Sequence, residues 1–194
     1  MKLFTVCAAL LGVGGLASPA LAQTLGELTC AIGQVPADAR ADLRSRYSQG
    51  GLTAAFNSTF FSRPELVDKV AVNCVDVSKP GFEARSAALG RALASYEVAN
   101  AAEAVLRSRH KLAQATLNGA WKGLGDADRK TFAAFARSAR TVPEAELIEA
   151  AAHFLAALRP DSDPDAVAAD KALLGDAIAY AAMRAQLEAA VGPI

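Results

Sequence analysis

The fold is decided by residues 82–111, which read FEARSAALGRALASYEVANAAEAVLRSRHK. This stretch has no proline and one glycine, and it is rich in alanine, the residue with the highest helix propensity. One long helix is therefore predicted near the middle of the chain. The other segments, which are mostly shorter, are expected to pack against it.

The apolar positions of this segment change side along its length. Its first half carries one stripe at helical spacing, formed by Phe82, Leu89, Leu93 and Tyr96. Its second half carries another stripe on roughly the opposite side, formed by Val98, Val105 and Leu112. Because the alanine content favours an unbroken helix, we expect different neighbours to cover the two halves.

The rest of the chain alternates between helical segments and clear breaks. Gly50-Gly51 ends a helix, Thr141–Glu144 reads as a capping box, and Asp163-Pro164 begins the last helix. No segment is a convincing strand. We predict an all-α, single-domain multi-helix bundle of about eight helices over residues 23–194, with two long helices at about 82–111 and 164–191.

The first 22 residues are typical of a cleaved secretory signal peptide. Lys2 precedes an apolar run from Leu3 to Leu16, and Ala20-Leu21-Ala22 supplies the small residues of a cleavage site after Ala22. The alternative, an N-terminal membrane anchor, needs a longer apolar run. The pattern predicts secretion, into a bacterial periplasm.

Charge and hydropathy argue against a nucleic-acid partner and against a membrane-spanning segment. The chain has 20 basic and 20 acidic residues, whereas a general nucleic-acid binder carries a basic excess. No stretch after residue 22 has the 18 or so consecutive apolar residues that indicate a spanning helix. We therefore expect no nucleic-acid partner and no transmembrane span in the mature chain.

Two cysteines follow the signal peptide, Cys30 and Cys74. A lone pair of cysteines in an exported protein most often forms one disulfide, which is the prediction here. The alternative is two separate buried thiols. The chain has no C-x-x-C motif, so a redox role has little support in the sequence.

Two acidic groupings raise the question of a metal ion. Glu146, Glu149 and His153 share one helix face, but a di-iron bundle would need a second such motif. The acidic stretch at 161–165 resembles the start of a calcium loop, but it lacks the glycine and glutamate that such a loop needs further on. Helix capping by Asp163 is the simpler interpretation. No metal or other cofactor is predicted.

A short basic cluster closes the long central segment and consists of Arg107, Arg109, His110 and Lys111. It is a candidate surface for an anionic partner such as a phospholipid, a cell-wall polymer or an acidic protein. Alternatively, these side chains offset the helix dipole and remain solvated.

The chain lacks the common catalytic motifs, including G-x-S-x-G, H-E-x-x-H and the phosphate-binding loops. We therefore expect a non-catalytic periplasmic protein that binds another protein or an envelope component. One alternative is a carrier of an apolar small molecule, held by Phe56, Phe60, Tyr96, Phe132 and Phe135. A second is a carboxylate-dependent hydrolase that uses Glu149 and His153.

Overall fold

The computed structural model describes residues 25–192, so the predicted signal peptide lies outside the described residues. Within that range the secondary structure is helical, without a strand. The predicted all-α fold class is confirmed. The described residues form two compact units, one made of residues 25–98 with 187–192 and the other of residues 99–186.

The N-terminal unit, residues 25–98 with 187–192, contains four helices and the first part of a fifth. These are α1 (Leu25–Gln34), α2 (Ala37–Ala55), α3 (Thr59–Ser62), α4 (Pro64–Cys74) and α5 (Phe82–Ser108). Helix α4 packs against both α1 and α3, and α3 also packs against α2. The largest fully buried side chains of this unit come from several of these helices and are Leu28, Leu43, Tyr47, Phe60, Leu89 and Leu93.

The C-terminal unit, residues 99–186, contains the end of α5, the helices that follow it and most of the last one. These are α6 (Gln114–Gly123), α7 (Asp126–Arg137), α8 (Glu144–Leu158), α9 (Pro164–Ala169) and α10 (Lys171–Val191). Helix α8 packs against α6, α7 and α9. Its buried Phe154 contacts three other aromatic rings, those of Trp121, Phe132 and Tyr180. This aromatic cluster is the core of the unit.

Helix α5 runs without interruption through the division between the two units, which falls between Val98 and Ala99. Most of its residues between Leu89 and Leu106 are buried, and many of them are alanine. The prediction of one unbroken helix is confirmed, and the predicted change of stripe near Val98 falls at the division itself.

The predicted break at Gly50-Gly51 is also confirmed. Although α2 continues beyond it, both glycines have non-helical backbone angles, and Gly51 has φ 62° and ψ −151°. An L-residue with a side chain is strongly disfavoured at these angles, so glycine allows the chain to change direction here.

The last helix differs from the prediction of one continuous helix over 164–191. The helix is interrupted at Asp170, between α9 and α10. The Asp170 carboxylate accepts a hydrogen bond of 3.0 Å from the backbone N–H of Leu173. Asp170 therefore acts as an N-cap for a new helix, a role that the apolar spacing does not reveal.

The capping box predicted at Thr141–Glu144 is wrong in detail. Helix α8 does begin at Glu144, but its N-cap is Pro143, which makes no side-chain cap hydrogen bond. The Thr141 hydroxyl instead donates to the carbonyl of Ser138 at 2.8 Å. The helix start was predictable from the residue pattern, whereas the hydrogen bonding was not.

Candidate functional site

The basic segment at the end of α5 has three exposed side chains, those of Arg107, Arg109 and Lys111. We call these three residues the basic corner. Arg107 Nη1 lies 3.7 Å from Oε1 of Glu103, one turn back along the helix. The Arg107 side chain is half exposed. Lys111 has a left-handed backbone with φ 58°, so the chain turns sharply just after α5 ends. The structure therefore places these three cations at a surface bend.

The fourth predicted member, His110, does not lie on the surface, and its inclusion there is corrected. Its side chain is only 6% exposed, and its Nε2 lies 3.0 Å from Oδ2 of Asp176 on α10. Arg109 Nη1 lies 3.5 Å from the same carboxylate oxygen. A buried carboxylate is costly unless it has hydrogen-bond or ion-pair partners. The imidazole of His110 turns inward because it serves as such a partner for Asp176.

The main chain of the bend is fixed as well. Arg159, which follows α8, donates a hydrogen bond of 3.2 Å from Nη2 to the carbonyl oxygen of His110. The segment between Arg109 and Lys111 is thus held through the side chain and the carbonyl of its central residue. This arrangement holds the basic corner in place, because flexible side chains then project from a fixed backbone.

The Glu146, Glu149 and His153 group does not come together as a ligand cluster. Glu146 and Glu149 are exposed, and His153 Nδ1 lies 3.0 Å from Oδ2 of Asp128 on α7. Among the described residues, no group of three His, Cys, Asp or Glu side chains is arranged to hold a metal ion. The His153–Asp128 contact links α7 to α8 at the surface.

The acidic stretch before α9 makes a local capping contact. The Asp163 carboxylate accepts a hydrogen bond of 3.1 Å from the backbone N–H of Asp165. The predicted role of Asp163 at a helix start is confirmed, because this is the contact that a capping aspartate makes.

The predicted disulfide between Cys30 and Cys74 is confirmed, with Cα atoms 5.7 Å apart. It joins α1 to α4 within the N-terminal unit. Gln34 Nε2 lies within hydrogen-bonding distance of both sulfurs, 3.4 Å from Cys30 Sγ and 3.2 Å from Cys74 Sγ. Asn73 Nδ2 donates in turn to Gln34 Oε1 at 3.1 Å. Two side-chain amides thus flank the disulfide.

Three of the five aromatic residues considered for a carrier, Phe56, Phe60 and Phe132, meet other rings. In the N-terminal unit, Phe56 and Phe60 each meet Phe61 edge-on, with ring centres 5.2 Å and 5.0 Å apart. Tyr96 of the same unit is half-buried. In the C-terminal unit, Phe132 and Phe135 are buried, and Phe132 meets Phe154 at 6.4 Å.

Two buried ion pairs within the N-terminal unit escaped the sequence analysis. Glu97 on α5 is 1% exposed and receives hydrogen bonds from Arg40 of α2, the shortest of them 2.7 Å. These hydrogen bonds raise the pKa of Arg40 above its ordinary value. A second pair joins Arg85 of α5 to Glu27 of α1. The sequence indicated these pairs only through charged residues, Arg85 and Glu97, at buried positions of a helix.

Arg129 of α7 has a role that no sequence pattern indicated. It donates hydrogen bonds to the carbonyl oxygens of Trp121, Lys122 and Leu124, at 3.0, 2.9 and 3.1 Å. These carbonyls lie at the end of α6, where the regular backbone hydrogen bonding stops. Trp121 O also accepts a hydrogen bond of 3.2 Å from the backbone N–H of Leu124. The same guanidinium lies 5.3 Å from the centre of the Trp121 ring. Arg129 thus caps α6 and covers the aromatic core.

Two findings complete the description. None of the helices in the described part of the chain is long and apolar enough to cross a membrane. Comparison with known proteins gave no matching family model, curated protein or solved structure.

Proposed function

We propose that the protein is an exported, non-catalytic helical protein of the bacterial periplasm that binds the acidic surface of a partner protein. The observation that carries this proposal is the basic corner. Arg107, Arg109 and Lys111 are exposed at a bend whose backbone is held by Asp176 and Arg159. A fixed backbone lowers the conformational entropy lost on binding.

Export is part of the proposal and rests on two observations. The first is the signal-peptide pattern of residues 1–22. The second is the Cys30–Cys74 disulfide, since such bonds persist in oxidising compartments and are rare in the cytosol. Mass spectrometry of the protein purified from its own host tests export directly. A mature chain that starts at Gln23 is the expected result, and a retained Met1 would contradict export.

Charge reversal at the basic corner tests the binding proposal. The variant Arg107→Glu/Lys111→Glu is compared with Arg44→Glu/Lys130→Glu, which reverses two exposed cations elsewhere and changes the net charge equally. Arg109 is left unchanged because it contacts Asp176. The wild type and both variants are cross-linked in periplasmic extract, and the partner protein is identified. The affinity of each of the three proteins for the purified partner is then measured.

We expect the reversed corner to weaken binding by about tenfold or more, with the control close to the wild type. The wild-type affinity should also fall as salt is raised, because exposed charges are screened. Equal affinity of both variants would refute the proposal. Binding to phosphatidylglycerol vesicles without any protein partner would replace the acidic protein by a lipid surface. A co-purifying lipid-sized mass in native mass spectrometry would favour the carrier instead.

A further inference from the structure

The surroundings of the Cys30–Cys74 disulfide differ from those of a sealed structural bond. Both cysteines are partly exposed, and Gln34, whose amide lies against both sulfurs, is itself exposed. Asn73, also exposed, holds the Gln34 amide by its oxygen and so orients its N–H groups toward the sulfurs. Partial exposure of both cysteines would let a thiol in solution approach this bond without unfolding of the chain.

We propose that the disulfide is a reducible clasp, opened in the folded protein by thiol–disulfide exchange with the Gln34 amide stabilising the departing thiolate. The rate of such an exchange rises when the leaving thiolate is stabilised, and an N–H donor provides that stabilisation. Gln34 is within reach of both sulfurs, so the amide assists whichever cysteine leaves.

The reaction needs an external dithiol as the reductant. Its thiolate attacks one cysteine sulfur, which forms a mixed disulfide and releases the other cysteine as a thiolate. The second thiol of the reductant then loses its proton and attacks the mixed disulfide. The products are a dithiol protein and a reductant oxidised to its own disulfide, a transfer of two electrons.

Opening the clasp would loosen α1 more than any other described helix. Helix α1 has 10 residues, and its covalent link to α4 is this bond. After reduction α1 would still be held by the Glu27–Arg85 ion pair and by the buried side chains of Leu28 and Ala31. Two hydrogen bonds would also remain, from Arg40 to the Ile32 carbonyl and from Asn73 to Gln34. The clasp would thus couple the redox state of the surroundings to the order of one helix.

The test follows reduction of the oxidised protein by dithiothreitol, with free thiols alkylated and counted by mass spectrometry. The key variant is Gln34→Met, which removes the donor while keeping a side chain of similar length. Gln49→Met is the matched control, because Gln49 is an exposed glutamine of α2 that bonds to Ser45. Asn73→Ala is a second variant, which leaves Gln34 in place but unsupported.

We expect the reduction rate to rise linearly with dithiothreitol concentration while the helical circular dichroism persists. Gln34→Met should slow the reaction by roughly threefold, Asn73→Ala by less, and Gln49→Met not at all. Amide exchange in the reduced protein should be faster in α1 than in the other helices.

Two results would overturn the proposal. A rate that reaches a plateau equal to the rate of global unfolding would mean that the bond opens only in unfolded chains. Equal rates for Gln34→Met and the wild type would remove the amide from the reaction. The first measurement needs no variant, so it remains decisive if a substitution prevents folding.

Discussion

At the scale of single residues, the carboxylate of Asp42 on α2 holds the first residue of α3, Thr59, by hydrogen bonds. The backbone N–H of Thr59 donates to Asp42 Oδ2 at 2.6 Å, and the Thr59 hydroxyl donates to the same oxygen at 2.9 Å. The N–H of Thr59, with its hydroxyl and Arg46, lowers the pKa of Asp42 below its ordinary value. Asp42 therefore stabilises the start of α3 as long as it stays ionised.

The substitution Asp42→Asn tests this role through its pH dependence. Because the pKa is lower in the folded state, the carboxylate's contribution is fully present above the ordinary aspartate pKa of about 4. It is lost as the pH falls below that value toward the folded-state pKa. We expect Asp42→Asn to be less stable than the wild type at pH 7, and the difference to disappear near pH 2. Urea unfolding at several pH values measures it.

Asp68→Asn is the control, since Asp68 is an exposed aspartate on the neighbouring α4. It should reproduce the change in charge without the change in stability at pH 7. A stability difference between Asp42→Asn and the wild type that stays constant down to pH 2 would show that the ionised carboxylate is not the cause.

At the scale of helices, glycine has opposite effects at two positions. Gly51 lies at the break within α2 with φ 62°, where a side chain is strained whatever the space. Gly119 lies inside α6, and an added Cβ there would meet nothing within 4 Å. At Gly119 the residue only weakens the helix, whereas at Gly51 it allows the chain to turn.

We therefore expect Gly51→Ala to destabilise the protein by about 1–3 kcal/mol through backbone strain. In contrast, Gly119→Ala should stabilise it by about 0.5–1 kcal/mol, because alanine loses less conformational entropy in a helix. Chemical denaturation of both variants beside the wild type provides the comparison. A change of the same sign in both would contradict this account of the two glycines.

A helix boundary could be predicted where the residues that set it are close together in sequence. The length of α5, the break at Gly50-Gly51 and the start of α8 depend on residues close together in sequence, so the sequence revealed them. The break at Asp170 depends on a single capping hydrogen bond in an apolar helical pattern. Such a bond competes with an equally plausible continuous helix, and apolar spacing alone cannot decide between them.

At the scale of the whole molecule, the disulfide is the strongest constraint on the unfolded chain. It joins residues 44 positions apart and so removes many unfolded conformations. The variant Cys30→Ser/Cys74→Ser should lower the free energy of unfolding by up to about 4 kcal/mol in the chain-entropy model. Urea unfolding of the oxidised wild type beside this variant measures the loss.

The reduced wild type is the matched control for that comparison, because it keeps both sulfur atoms but lacks the bond. Its stability should fall close to that of the double variant. If both proteins unfold at the same urea concentration as the oxidised wild type, the bond contributes nothing to stability.

The candidate site was predictable only in part. Arg107, Arg109 and Lys111 could be found from the sequence because they lie within five residues of one another where a long predicted helix ends. The inward turn of His110 could not, since its partner Asp176 lies 66 residues away on α10. The contact of His153 with Asp128 could not be predicted for the same reason, because Asp128 lies on another helix.

The order of the residues along the chain was enough to predict the helical class, the central position of residues 82–111, most of the breaks and the pairing of the cysteines. These follow from local propensity and spacing, or from the presence of two cysteines after the predicted signal peptide. The partners of the charged residues, in contrast, depend on the folded arrangement: Glu97 pairs with Arg40, Asp176 with His110, and Arg129 with the end of α6. Buried charges and helix ends need hydrogen-bond or ion-pair partners. Which residues become those partners depends on how segments that are distant in sequence pack together.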